Sequence, residues 1–275
     1  MKNFKKEHIG ILAGGGFISI LAIQKALQEY HRVVVIGLKD NINNIEQFKK
    51  IKNIKFYETY PGYLKRNLKI LKKEKINRIL FIGKINKPKT FKEKKFDLLA
   101  LKLLLTLKDK SDYSILQRLV KLFSDNGIKV ISQKDFFNQD IVPPGYLTRK
   151  KCNKKELENI KYGFNIAKKV ASLGIGQSII VENKMVIAVE GIEGTDEMIK
   201  RASKYVKDNS IFIKVSKPKH NPKFDLPGFG LDTLKLLLKN NIKTIALESG
   251  WVLLIEREKI IQFANKHKMK IIGIN

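Results

Sequence analysis

Two hydrophobic rhythms alternate along the chain. Residues 8–16, His-Ile-Gly-Ile-Leu-Ala-Gly-Gly-Gly, read as a strand running into a glycine turn, and residues 19–30 follow with helical spacing. Residues 32–38 and 78–83 are near-continuous apolar runs, the pattern of strands buried on both faces. Around them the spacing predicts a basic amphipathic helix at 62–74, helices at 96–108 and 114–124, and a short fourth strand at 129–132. Strands alternating with helices predict an open parallel, Rossmann-like α/β sheet over residues 1–140. Paired prolines in Ile141-Val-Pro-Pro-Gly145 mark residues 141–150 as a linker.

Residues 151–275 predict a second α/β or α+β domain. Helical spacing covers 154–171, 196–206, 232–240 and 256–267, and a strand pair at 178–182 and 185–189 turns at Asn183-Lys184. Further strands are expected at 211–215, 244–248 and 270–274. A chain of 275 residues suffices for two cores. A ligand cleft is expected between them, where such sites commonly form.

Charge changes this picture only a little. Lys and Arg number 55 against 26 Asp and Glu, a net +29 spread over both halves and densest at residues 49–95. Such a charge invites polyanion or membrane partners. The accompanying richness in Ile and Asn points instead to a genome poor in G and C, and no nucleic-acid-binding module is present. A dedicated nucleic-acid partner is therefore not expected. Attraction to anionic lipid is, at about 1 kcal/mol per basic residue held near the surface. The single cysteine, Cys152, excludes an intrachain disulfide and suggests a reducing compartment. No apolar run approaches the ~20 residues of a membrane span. Lys2, Lys5 and Lys6 before an uncharged run imitate a signal peptide, but Gly14-Gly15-Gly16 in that run fits a strand–turn–helix better.

The candidate chemistry lies in Ile187–Asp196, Ile-Ala-Val-Glu-Gly-Ile-Glu-Gly-Thr-Asp. Glu190, Glu193 and Asp196 on a glycine-hinged turn beside Thr195 repel one another unless solvated or matched by positive charge. Lys214, Lys217 and Lys219 precede Asp225 and are placed to supply it. Prolines on both sides of Asp225 stiffen its loop and present the carboxylate, which makes it the leading catalytic candidate. Glu248 ends another strand, where a functional acid would project. In the first domain, Gly14, Gly15 and Gly16 let backbone amides approach a phosphate. The dinucleotide fingerprint is broken, with Ser19 at its third glycine, and Asp40 reads as a turn residue. Gly83-Lys84 follows the third apolar strand at the sheet edge where ligands bind. The four histidines lack metal-ligand spacing, and neither HExxH nor G-x-S-x-G occurs, so zinc hydrolysis and triad chemistry are not expected.

Taken in order, Ile9–Gly16, Gly83-Lys84, Pro144–Thr148, Gly176-Gln177, Ala188–Asp196, Lys214-x-x-Lys217-Pro218, Asp225-Leu-Pro227 and Ala246–Gly250 resemble the LpxI-type UDP-2,3-diacylglucosamine pyrophosphatases of lipid A biosynthesis. The resemblance spans essentially the whole chain. It implies a hydrolase that cuts the diphosphate into UMP and 2,3-diacylglucosamine 1-phosphate with Mg²⁺, water attacking the sugar-side phosphorus. Asp225 corresponds to the family's essential aspartate. Candidate substrate residues are Gly14, Gly15, Gly16, Gly83, Lys84, Gln177, Thr195, Lys214, Lys217 and Lys219. Candidate metal ligands are Asp225, Glu190, Glu193 and Asp196. A cytoplasmic protein, peripheral on the inner face of the inner membrane, is implied, with a homo-oligomer left open. Gly174 stands where the family usually has an acid, and Phe17 and Ser19 where it has a basic residue and a proline. The rival readings are a nicotinamide-dependent oxidoreductase, which lacks an evident hydride-transfer acid here, and a basic nucleic-acid-binding protein.

Overall fold

The computed structural model of the protein describes residues 6–39, 45–83, 85, 95–107, 111–206, 209–218, 221–223 and 226–275. The chain divides into two compact units, Met1–Phe136 and Phe137–Asn275, and each is described by itself.

In the first unit, β1 (Lys6–Ala13), α1 (Phe17–Glu29), β2 (Tyr30–Leu38), α2 (Ile45–Lys49), β3 (Ile54–Thr59), α3 (Leu64–Lys73) and β4 (Arg78–Ile82) lead to α4 (Leu98–Leu105). Then come α5 (Asp112–Asp125), β5 (Lys129–Val130) and α6 (Gln133–Phe136). The strands form one parallel sheet in the order β3-β2-β1-β4-β5, the doubly wound Rossmann order. Ile9, Ile11, Val33–Ile36, Ile79 and Leu80 are almost wholly buried, as unbroken apolar strands require when helices cover both faces.

The spacing gave four of these strands and overlooked β3. Its sequence, Ile-Lys-Phe-Tyr-Glu-Thr, lies at the sheet edge with only Thr59 buried, so its polar residues interrupt any apolar run. Lys55 and Tyr57 of that strand, with Arg32 of β2, hold the buried carboxylate of Glu74 at the end of α3. These contacts fasten the edge strand to its helix.

The second unit comprises β6 (Gly145–Tyr146), α7 (Lys154–Ser172), β7 (Ser178–Glu182), β8 (Met185–Val189), α8 (Thr195–Ala202) and β9 (Ile211–Lys214). It continues with β10 (Gly228–Phe229), α9 (Leu231–Lys239), β11 (Thr244–Glu248), β12 (Leu253–Leu254), α10 (Arg257–Lys266) and β13 (Lys270–Ile274). The main sheet is mixed, ordered β6-β13-β11-β9-β7-β8. Strands β9, β11 and β13 are parallel, whereas β7 runs antiparallel to both β9 and β8. The β7–β8 hairpin turns at Asn183 and Lys184, both at positive φ (48° and 58°), the geometry of a two-residue primed turn.

Helix α7 covers one face of this sheet, burying Ile160, Ala167 and Ala171 against Ile179, Val181, Ile211 and Ile213. Its Gly163 permits the approach, because a Cβ there would collide with Ile213 and Val181. The other face packs against α8, α9 and α10 through Met198, Leu234, Leu237 and Ile260. An Asn153–Glu156 capping box starts α7.

Residues 141–150 do not behave as the linker expected from their prolines. Ile141 bridges Leu253, Val142 is fully buried, β6 pairs with β13, and Thr148 accepts a hydrogen bond from the Ile271 N–H at 3.0 Å. The segment is an edge of the second sheet, where proline is tolerated. The change of unit comes earlier, between Phe136 and Phe137.

Candidate functional site

Strands β9 and β11 end side by side, with Leu247 in register with Lys214. Ser178, the first residue of antiparallel β7, faces Lys214 from the other side, and β8 delivers Glu190 to the same edge. The carboxyl edge of the parallel strands thus gathers side chains from segments far apart in sequence, the usual ligand edge of such sheets.

Lys214 is 7% exposed, and its Nζ donates to Ser178 Oγ at 3.1 Å and Thr195 Oγ1 at 3.0 Å. Thr195 passes the connection on, its hydroxyl donating to Glu190 Oε1 at 2.7 Å, while Glu190 Oε2 accepts the Gln177 N–H at 3.2 Å. Burial pushes the Glu190 carboxyl up. The Lys214 charge, the hydroxyls of Thr195 and Ser178 and the Gln177 N–H outweigh it, so the carboxyl sits below its usual range. Gly176 is required beside this group, since a Cβ there would overlap the Glu190 carbonyl. Gln177, Glu190, Thr195 and Lys214, four residues singled out in the sequence, therefore form one hydrogen-bonded cluster.

The three acids of the glycine-hinged turn do not converge. Glu193 pairs with Arg201 at 2.7 Å, which holds its exposed carboxyl below the usual range, and Asp196 accepts a hydrogen bond from Thr233 at 3.0 Å. Repulsion is relieved by sending each carboxylate to its own partner. Among the described residues no three His, Cys, Asp or Glu side chains come together as a cation site. Glu190, Glu193 and Asp196 therefore do not by themselves gather into a shared cation site, and Asp225, the fourth candidate ligand, lies outside the described residues.

Glu248 has a different task. At 7% exposure it accepts the Ser216 N–H at 2.6 Å and the Ser216 hydroxyl at 2.9 Å, and it pairs with Lys168 of α7 at 2.8 Å. Lys168 also donates to the Ser216 carbonyl, at 3.2 Å. On the other flank, the Val215 N–H donates to the Gln177 carbonyl at 2.8 Å. The chain leaving β9 is clamped from both sides just before half-buried Lys217. It is anchored again at Pro227, whose carbonyl accepts the Leu253 N–H at 2.9 Å. Asp225 and Lys219 lie between these anchors but outside the described residues. Sequence reading saw Glu248 only as an acid at a strand end and overlooked Ser178, Ser216 and Lys168. Only Ser178, at the start of a strand, carried any positional hint.

In the first unit, Gly14 and Gly83 meet where the strand order reverses between β1 and β4. The Gly14 N–H donates to the Ile82 carbonyl at 2.7 Å, and a Cβ on Gly83 would lie 2.8 Å from the Gly14 carbonyl. Gly14 and Gly15 are buried, whereas Gly16 is exposed with φ 101°, preceding α1 with no side-chain cap. Ser19, at the broken fingerprint position, is fully buried and donates to the Gly14 carbonyl at 2.9 Å. It locks the turn that glycine would have left open. Lys84 and Asp40 lie outside the described residues. Gly174, the other departure, has φ 73° just beyond the end of α7, where glycine relieves the left-handed strain. Cys152 is a poor nucleophile, its thiol pushed up to about 11 by burial and then by Glu156.

Comparison with known proteins places these units. Residues 8–139 match the LpxI N-terminal domain and residues 143–272 the LpxI C-terminal domain. The chain belongs to the LpxI family. A relative, the UDP-2,3-diacylglucosamine pyrophosphatase LpxI of Caulobacter vibrioides, is 25% identical over 225 residues, which cover 78% of this chain and 80% of the relative. The two LpxI domains correspond closely to the two compact units, and the Lys214 cluster falls in the C-terminal one.

Proposed function

We propose that this LpxI-family protein hydrolyses the diphosphate of UDP-2,3-diacylglucosamine, releasing UMP and 2,3-diacylglucosamine 1-phosphate in lipid A biosynthesis. The observation that carries this reading is the convergence of Gln177, Glu190, Thr195 and Lys214 on the edge from which the clamped chain runs toward Asp225. Membership of the family and the name of the Caulobacter relative supply the substrate.

Cleaving a phosphoanhydride requires that charge on the phosphoryl oxygens be met by fixed positive groups and that water be held in line. Lys214 supplies a fixed ammonium, with Thr195 and Ser178 holding it in place and Glu190 balancing it before substrate arrives. Lys217, just after the clamped Ser216, and Lys219 are proposed to add further charge. Water attacks the sugar-side phosphorus, the bond to the bridging oxygen breaks, and UMP departs with that oxygen. Asp225 accepts the water's proton or orients an ion. Magnesium is proposed to bridge the diphosphate oxygens, with Asp225 as its candidate protein ligand, since this ion is usually held by one or two carboxylates together with substrate phosphates. The glycine turn of the first unit, with backbone amides at the start of α1, takes the nucleotide. The protein works at the inner face of the inner membrane, held reversibly by its charge. Among the described residues no helix is long and apolar enough to cross a membrane.

The test is hydrolysis of purified UDP-2,3-diacylglucosamine in ¹⁸O water. UMP together with label in the sugar phosphate supports the reading. Label in UMP moves the attack to the other phosphorus, and no turnover by folded protein with magnesium present rejects it.

A further inference from the structure

One surface of the first unit is left over by this account. Helix α4, Leu-Leu-Ala-Leu-Lys-Leu-Leu-Leu, buries Ala100 and Leu103 against Leu64 of α3, with Leu119 and Leu122 of α5 beside them. Its opposite side shows Leu98, Leu101 and Leu105 to solvent, at 68%, 45% and 86% exposure. Spaced three and four residues apart, they fall on one helical stripe, with exposed Lys102 at its margin. A single exposed leucine is ordinary, whereas an aligned set on one helix marks an interaction surface.

The neighbouring helix supplies the charge. The segments entering α3 and α4 pair in parallel, Gly62 beside Phe96. Asp97 serves both helices, accepting the Ala100 N–H at 2.9 Å and the Lys65 N–H at 2.6 Å. The two helices therefore start level and side by side. Helix α3 buries Leu64, Leu68, Ile70 and Leu71 and exposes Lys65, Arg66, Lys69, Lys72 and Lys73 along its other face. An apolar stripe beside a row of five cations is the composition of an element lying in the headgroup region of an anionic bilayer.

We infer that the solvent faces of α3 and α4 form the membrane-docking surface, with Leu98, Leu101 and Leu105 entering the acyl boundary and the basic row of α3 meeting anionic headgroups. The choice of a bilayer rests on the proposed function, whose substrate is a lipid. Charge favours it over a second copy of the chain. A two-fold contact through this patch would set two basic rows against each other, whereas an anionic surface gains about fivefold in partitioning for each nearby cation.

The full chain is tested by co-sedimentation, without substrate, on vesicles of phosphatidylcholine with and without phosphatidylglycerol. Two variants are compared, Leu101→Ser/Leu105→Ser and Lys65→Glu/Arg66→Glu/Lys69→Glu, and circular dichroism checks their folding. Wild type should prefer the anionic vesicles. Each variant should bind them at least about tenfold more weakly, and the charge variant should also lose most of the salt dependence. Both should turn over detergent-dispersed substrate within about twofold of wild type, since none of the substituted residues is among those assigned to the proposed site. Equal binding of wild type to both vesicle types, or undiminished binding by either variant, overturns the inference. A leucine variant that instead breaks a dimer, or loses turnover of dispersed substrate while still binding vesicles, assigns the stripe to a second copy or to substrate acyl chains and overturns it too. Because binding is read without substrate, failure of the hydrolase reading and failure of this one are seen separately.

Discussion

The two units put their candidate chemistry at the same place, the carboxyl edge of parallel strands, but build it from different materials. The first uses backbone: Gly14, Gly15 and Gly16 turn the chain, Gly83 lets two turns touch, and Ser19 ties them. The second uses partly buried charge: Lys214 beside Glu190, and Lys168 with Glu248, each knitted in by hydroxyls and amides. Backbone amides suit binding a phosphate whose charge does not change. A fixed ammonium held ready costs little reorganisation when charge moves to oxygen. Under the proposed function, this difference gives binding to the first unit and catalysis to the second.

The largest effect expected from that division is at Asp225. Asp225→Ala should lower hydrolysis at least ~10²-fold while substrate affinity stays within roughly tenfold, because its loss acts on the transition state. Equilibrium binding beside single-turnover rates checks this, and loss of affinity alone would make Asp225 a binding residue. Glu248→Gln comes next. The amide keeps the shape but loses the charge that matches Lys168 and accepts twice from Ser216, so the rate should fall about tenfold through misplacement of Lys217. KM should change less than kcat, and Glu248→Ala should do worse than Glu248→Gln.

Glu193→Gln and Asp196→Asn should each leave activity and its magnesium dependence within about threefold, because their partners are Arg201 and Thr233 on the surface. A magnesium titration shifted tenfold or more by either would restore the shared metal site. The smallest effect concerns pH. Glu190 has its folded pKa lowered, so its stabilisation is complete above the ordinary carboxylate value of about 4.3 and fades as pH falls through the lower folded value. Thermal melts of Glu190→Gln and wild type should therefore differ at neutral pH and draw together in strong acid.

Legibility in the sequence followed burial. Strands β2, β4, β11 and β13 could be read because helices or neighbouring strands bury them, leaving unbroken apolar runs. Edge strand β3 and the two-residue strands β6, β10 and β12 could not, because pairing rather than composition defines them. The glycine turn and the Glu190–Thr195–Lys214 set were legible because glycine hinges and charges inside apolar runs demand an explanation. That Glu190, Glu193 and Asp196 part company was not legible. Glu190 takes the hydroxyl of Thr195 and the nearby charge of Lys214, Glu193 takes Arg201 and Asp196 takes Thr233, and only the fold shows which acid meets which.

The most direct test of the division between the units is a crossed measurement on Lys214→Gln and Gly83→Ala, each shown to be folded. Lys214→Gln keeps a donor for Ser178 and Thr195 but removes the charge. Gly83→Ala strains a backbone at φ 89° and presses on Gly14. UMP affinity by calorimetry and the single-turnover rate at saturating substrate are measured for both. The account predicts that Lys214→Gln loses roughly 10–100-fold in rate with UMP affinity within about threefold, and that Gly83→Ala loses about tenfold in UMP affinity with its saturated rate nearly intact. The reverse pattern, with Gly83→Ala slow at saturation and Lys214→Gln merely weak in UMP binding, would contradict it.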